Sequence, residues 1–419
     1  MLMRWPARWR RPLRFVGDVA ILALLGYLGG IAYLYAYQVD LVFRPPSHGS
    51  LCTASVGLVP ERVVVTGEGG LATEAWRIRA TRPASGAAGA GADGHWVLFL
   101  HGNAASISSS VNVRRYDQLR QLGLDVLAVE YPGFGDVGGA ASEAGIHAAA
   151  RAAYDHLRRV DGIPASHIAI YGWSLGTGAA VPLARDVDEA ALIVEGGFTS
   201  VLARAAEQHP FMPVRWLLQH PFKSDEAIAA THSATLFLHS PEDTIIPFPH
   251  GEAMFARAAE PKRLVRLAGG HIYPNAADAD RYSAAIHDFL SEVVHWPVAT
   301  PRRSAGVAVA AALARGGIEA ALTAWRTAVS EGEPRWNLAE YELQYVGRQC
   351  TLADRHDAAV ALFRANRDRF PDSPLAWYEL GRALAAAGQP DDARRALRHS
   401  IALEPAAVNP SYDVLASLD

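Results

Sequence analysis

Residues Val19 to Tyr37 carry no charge and present no polar face; they are aliphatic, glycine or tyrosine throughout. Read as a helix rising about 1.5 Å per residue, these 19 positions span roughly 28 Å, close to the ~30 Å of a bilayer's hydrocarbon core. The pattern predicts a membrane anchor at 16–38 behind a basic tail at 1–15, where Arg4, Arg8, Arg10, Arg11 and Arg14 stand. Tyr27, Tyr33, Tyr35 and Tyr37 crowd the outer half of the run, as interfacial aromatics do. Arginines before the run and few basic residues just after it predict a single-pass membrane protein with a cytoplasmic N-terminus. Everything past about Asp40 then lies on the extracytoplasmic, periplasmic side. A cleaved signal peptide is the competing reading, but the apolar core is long and no A-x-A site closes it.

From about Glu61 to Trp296 the pattern changes. Short apolar, β-rich runs at 61–66, 72–79, 96–101, 124–130, 167–172, 190–195, 234–239 and 262–267 predict eight strands. The first two, joined by Gly67–Gly70, read as a hairpin. Later runs such as WVLFL and AALIVE are continuously apolar, as strands covered on both faces must be. Amphipathic stretches at 111–122, 142–160, 175–186, 248–258 and 279–294 fit helices between them. This order predicts an α/β domain over 39–298 with a mostly parallel eight-stranded sheet. The Gly/Ala-rich stretch 85–94 reads as a surface loop. Segment 201–230 interrupts the alternation with Pro210, Pro213 and Pro221 among bulky apolar residues, and fits either a cap over a site or a packed connection.

Past the basic, proline-containing junction at 297–303 the texture becomes Ala-rich and helical. Leu343, Val346, Gly347, Ala359, Phe363 and Pro371 recur 34 residues later as Trp377, Leu380, Gly381, Ala393, Leu397 and Pro405. Period and residue types match tetratricopeptide repeats, with small residues where paired helices touch and large ones between. Ala321, Trp325 and Ala328 mark a weaker preceding unit. An all-α stack over 304–419 follows. So few units predict that it also packs on the α/β domain.

Composition adds exclusions. A net charge of −4 and the lack of a basic face beyond the first residues argue against nucleic-acid binding. Cys52 and Cys350 form neither a disulfide framework nor a metal spacing, and read as two unpaired thiols. No ligand cluster for a metal or organic cofactor is visible, so none is expected.

The chemistry gathers around Gly172-Trp173-Ser174-Leu175-Gly176, a G-x-S-x-G pattern between the strand HIAIYG and the helix former run LGTGAAVPLA. A nucleophilic serine exposed on a strained strand–turn–helix needs that setting. It also needs a base and an orienting carboxylate. Asp243 follows the strand ending at His239, in a loop ended by Pro247; Glu242 is its rival. His271 follows Gly269 and Gly270, which free the loop to bring imidazole to the serine. Backbone N–H groups of Leu175 and Asn103 are the expected oxyanion donors. His101 reads as a structural hydrogen bonder under the Asn103 loop.

HGN at 101–103, YPGFG at 131–135, GWSLGTG at 172–178, EGGFTS at 195–200, SPED at 240–243 and GGH at 269–271 together resemble the membrane-anchored abhydrolase-domain subfamily of α/β-hydrolases. The likeness covers roughly 15–295, including VDLVFRPP at 39–46. Members often carry serine after YPGYG, where this chain has Asp136-Val137-Gly138 after YPGFG, which bears on local loop contacts and not on the triad. The resemblance implies an α/β-hydrolase fold and Ser174–Asp243–His271 catalysis on acyl esters of lipids or acylated proteins. The expected function is therefore a serine hydrolase cleaving acyl ester or thioester bonds. A serine peptidase or amidase on the same fold is the chemical alternative. A membrane-tethered scaffold whose repeats recruit a protein partner is the other.

Overall fold

The computed structural model describes residues 7–46, 57–81, 94–406 and 408–418. Arg4, Cys52 and all of the 85–94 stretch except Gly94 fall outside them. Helix α1 (Ala7–Val42) is continuous, and its Phe15–Val42 part is long and apolar enough to cross a membrane. Phe15, Leu22, Leu24, Leu25 and Leu28 on it face outward, uncovered by protein. In water that surface would be costly; in hydrocarbon it is not.

Eight strands follow: β1 (Glu61–Thr66), β2 (Ala72–Ile78), β3 (Trp96–Leu100), β4 (Asp125–Val129), β5 (Ile168–Trp173), β6 (Ala191–Glu195), β7 (Ala234–His239) and β8 (Lys262–Arg266). They join in the order β1-β2-β4-β3-β5-β6-β7-β8. β1 and β2 pair antiparallel, β2 meets β4 antiparallel, and all pairings beyond β4 are parallel. Every residue of β3, β4, β5 and β6 is buried. The reason is helices on both faces. Leu98, Leu127, Ile170 and Leu192 point into a core with α3 (Glu143–Asp155) and α4 (Thr177–Asp186). Val97, Val126, Ala169 and Ile193 point into the opposite core, with α2 (Ser110–Gln121) and α10 (Ala279–Glu292). Continuous apolar strands satisfy both faces at once.

Between β6 and β7 the chain makes three short helices, α5 (Val201–Gln208), α6 (Val214–Leu217) and α7 (Ser224–Ile228). The two halves of this stretch pack differently. Phe222 is fully buried against Gly178 and Phe198, which fixes the second half as packed connection. The first half covers a cavity described below. Helix α8 (Phe248–Arg257) follows β7, and the short α9 (Pro274–Ala277) follows β8.

The remainder is helical apart from a two-residue parallel pairing of Arg303–Ser304 with Trp336–Asn337: α11 (Ala305–Glu331), α12 (Glu340–Leu352), α13 (His356–Arg369), α14 (Pro374–Ala386), α15 (Pro390–Leu403) and α16 (Ser411–Ala416). Gly347 lies against the Phe363 ring, and 34 positions later Gly381 lies against Leu397. A Cβ at either glycine would come within 2.6 or 2.7 Å of that side chain, so the helix pairs close only around glycine. Helix α11 also has the length and composition of a membrane span. It is broken at Gly316 and Gly317, and Val309, Ala321, Trp325 and Ala328 are buried in the repeat core. That makes it two packed helices of the first repeat.

The stack is fastened to the α/β part through α2. Glu342 of α12 is fully buried and accepts hydrogen bonds from Arg114 (3.2 Å), the Gly306 amide (2.7 Å) and the Ser304 hydroxyl. Tyr341 donates to Asp117 at 2.6 Å while the Arg114 guanidinium sits 4.5 Å over its ring. Cys350 is buried inside the stack.

Candidate active site

Strand β5 runs through the middle of the sheet and delivers Ser174 at its C-terminal edge, where ligands of open α/β sheets bind. Ser174 adopts a left-handed backbone, φ +52°, which costs a non-glycine residue energy and holds its hydroxyl clear of strand and helix. The flanking glycines permit the turn. A Cβ on Gly172 would sit 2.7 Å from both Ala180 Cβ and Thr177 Cα, and one on Gly176 would overlap the Leu100 carbonyl. The predicted start of α4 at 175 therefore moves to Thr177, because the tight turn Ser174–Gly176 comes first.

His271 arrives from the loop after β8, with Nε2 2.7 Å from Ser174 Oγ and Nδ1 2.6 Å from Asp243 Oδ2. Asp243 Oδ1 accepts the Ile245 and Ile246 amides at 2.9 and 2.7 Å. Burial opposes its charge, but His239, His271 and the Ile246 amide outweigh burial and hold the carboxyl well below the usual range. Glu242, the rival acid, points elsewhere. It accepts the Gly269 amide at 3.2 Å and so braces the loop that carries His271.

Asn103 and Leu175 both border the cavity beside Ser174. The Asn103 side chain is committed away from any substrate: Nδ2 donates to the Val42 carbonyl at 2.6 Å, and Oδ1 accepts the Arg44 amide at 2.8 Å. His101 is fully buried, with Nε2 2.7 Å from Glu130, whose other oxygen accepts the Ile107 amide at 3.0 Å. That pair braces the loop after β3 from below.

Three contributors escaped the sequence reading. His239 lies 3.4 Å from Asp243 and donates to the Ile246 carbonyl at 2.9 Å, gripping the acid loop from its buried side. Arg115, fully buried, makes a two-point pair with Glu195 (2.9 and 2.5 Å) and donates to the carbonyl of Ile272, next to His271, at 3.2 Å. Burial disfavours its charge, but Glu195 more than offsets this and raises its pKa. Its guanidinium also lies 4.0 Å over the Trp173 ring, so a single cation touches the segments carrying both Ser174 and His271. The only sequence signal was a charge at 115 on the inward face of a helix and another at the end of an apolar strand. The third contributor is α1 itself.

A cavity of about 250 Å³ opens above Ser174. Leu41 and Val42 of α1, Val201 of α5, Leu217 of α6 and Ile246 wall it, so the N-terminal helix forms part of the site. Its surface is mostly apolar, with Ser174, Asn103, Gln38, Arg204, Gln208 and His209 as the polar contributors. Among the described residues no cluster of histidine, cysteine and carboxylate has a metal-holding geometry. The arrangement can activate a hydroxyl for attack on a carbonyl attached to an apolar group.

A family model described as tetratricopeptide repeat matches residues 351–413. A protein of Mycobacterium tuberculosis, described as uncharacterized, is 36% identical over 276 residues, which make up 65% of this chain and 94% of that one. The alpha/beta hydrolase domain-containing protein WAV2 of Arabidopsis thaliana is 28% identical over 252 residues, 55% of this chain and 79% of that one. A lysophosphatidylserine lipase of Danio rerio is 33% identical over 187 residues, 40% of this chain and 48% of the lipase, about half its length. Among solved structures, an esterase of Pyrococcus furiosus is 15% identical, with a TM-score of 0.49 over 60% of this chain and 99% of that one.

Proposed function

The chain belongs to the abhydrolase-domain group of α/β-hydrolases, carrying a C-terminal tetratricopeptide-like stack, and we propose that it is a serine hydrolase cleaving acyl esters or thioesters of lipid-like substrates. The observation that carries the reading is the hydrogen-bonded row Ser174–His271–Asp243 at the base of an apolar cavity. His271 Nε2 takes the Ser174 proton as Oγ attacks the acyl carbonyl, then passes it to the departing alcohol or thiol. Asp243 fixes the imidazole orientation and stabilises the imidazolium. Backbone amides of Leu175 and Asn103 hold the oxyanion. Water, deprotonated by His271, then releases the acyl group. No cofactor takes part in this scheme.

The apolar lining and the lysophosphatidylserine lipase among the relatives support acyl chains over peptides as the leaving segment's partner. In this reading α1 crosses the membrane, with residues 1–15 in the cytoplasm, because five arginines precede the apolar run. Residues 39–298 form the hydrolase and 304–419 the repeat stack, both outside. A fluorophosphonate probe should label the protein, and Ser174→Ala should abolish labelling. Well-folded protein that resists the probe would overturn the reading. Esters of graded acyl length should then be cleaved faster than aminoacyl amides.

A further inference from the structure

We propose that the segment 209–218 lies immersed in the lipid leaflet beside α1, so that the cavity above Ser174 opens onto the bilayer and receives its acyl substrate sideways from it. The proposal rests on α1 crossing a membrane and on Ser174 acting as the nucleophile.

The first argument is position. Gln38 Nε2 donates to the Leu217 carbonyl at 3.2 Å, and Gln38 Oε1 accepts the Gln219 amide at 2.7 Å. Further down the same helix, Gly30 faces the methyl of Met212, and the Tyr27 hydroxyl donates to the Phe211 carbonyl at 3.1 Å. Gln38 and Tyr27 are 11 positions apart, about 16 Å along a helix axis and about half a hydrocarbon core of ~30 Å. The apolar run ends at Tyr37. A segment that follows α1 back to Tyr27 therefore shares the depth of the run.

The second argument is chemistry. Phe211 and Trp216 are 87% and 82% exposed, and Leu22, Leu25 and Leu28 of α1 are exposed as well. Neither ring lines the cavity, so neither is held out for catalysis. Two bare aromatics continuous with a membrane helix face lipid.

The third argument is the backbone, which hydrocarbon will not solvate. The Met212, Val214, Trp216 and Leu218 amides bond internally to His209, Met212, Pro213 and Val214 carbonyls at 2.8–3.0 Å. Pro210 and Pro213 have no N–H to satisfy, and the Tyr27 hydroxyl covers the Phe211 carbonyl. Arg215 is the one charge between Pro210 and Leu218, and its long side chain can reach headgroup phosphate while its stem stays in the apolar layer. The cavity is bordered on this side by Leu34 and Leu41 of α1 and by Val214 and Leu217 of the segment. An acyl chain in the leaflet thus meets the site without passing through water.

Two measurements on the full chain in phosphatidylcholine vesicles test this. With Cys52→Ser and Cys350→Ala as background, Phe211→Cys or Trp216→Cys is labelled with an environment-sensitive fluorophore, and Asp372→Cys in the repeats serves as the aqueous control. Fluorescence at 211 and 216 should be quenched by nitroxide-bearing lipids and spared by iodide, with the reverse at 372. Iodide quenching at 211 and 216 equal to that at 372 overturns the proposal, including the case in which these residues dock a protein. Phe211→Ser/Trp216→Ser should then slow hydrolysis of a bilayer-resident long-chain monoacyl ester at least tenfold and leave a water-soluble butyrate ester unchanged. Unchanged rates on both esters also overturn it. Wild-type protein that cleaves neither ester sinks the catalytic reading instead, and the quenching result still decides where the segment lies.

Discussion

Asn103 Nδ2 donates to the Val42 carbonyl at 2.6 Å, which ties the loop after β3 to the last residue of the N-terminal helix. With the Arg44 amide held by the same side chain, one residue joins the N-terminal helix to the rim of the cavity. Asn103→Ala leaves the Arg44 amide and the Val42 carbonyl to find other partners, at about 1–3 kcal/mol for each group that stays dry. Part-exposure of the loop sets the cost toward the low end. We expect kcat/KM to fall about tenfold and fluorophosphonate labelling to persist at a slower rate. Unaltered kinetics would show that the tie plays no part in shaping the site.

Asp243→Asn should fold yet lose roughly 10³–10⁴-fold in kcat, because an amide cannot hold imidazole in the required tautomer and orientation. Stability carries a second signature. A carboxyl whose folded pKa is depressed adds stability above its unfolded pKa of about 3.9, and that stability is lost as pH falls through the lower folded value. The wild-type lead in Tm over Asp243→Asn should thus be full above about pH 5 and shrink below pH 4. A difference that stays constant down to pH 3 would contradict the depressed carboxyl.

Arg115 and Glu195 form a fully buried pair under both Ser174 and His271. Arg115→Met strands the Glu195 carboxylate in the core and should cost about 3–5 kcal/mol. The double variant Arg115→Met/Glu195→Leu should recover much of that loss. Urea unfolding of the two variants checks the order, and equal stabilities would refute the coupling.

The junction of the repeats with the hydrolase hinges on Arg114 and Glu342. Burial raises the Glu342 carboxyl first of all, and Arg114, Ser304 and Gly306 lower it again. Arg114→Leu removes the cation and the cover over Tyr341, and should destabilise the protein by about 3–5 kcal/mol. Limited proteolysis should then cut first near 297–303 and free the repeat stack. Cleavage at the wild-type rate would mean that the two parts hold together by other contacts.

The sequence alone determined what depends on neighbours along the chain. Uninterrupted apolar runs marked α1 and the later strands, because a strand covered on both faces needs apolar residues at consecutive positions. Glycine spacing marked the turn at Ser174 and the 34-residue repeat, because close approach excludes any Cβ. Tertiary structure decided what depends on where distant segments land. Nothing local separates Asp243 from Glu242; the first meets His271 and the second meets Gly269 only because the loops after β7 and β8 run side by side. His239, Arg115 and Glu195 look like stray polar residues until folding seals them in contact. The N-terminal helix read as a membrane tether, yet bonds from Gln38 to Gln219 and from Asn103 to Val42, across 181 and 61 positions, make it a wall of the cavity. Such pairings are set by the shape of the whole fold, and no window along the chain contains both partners.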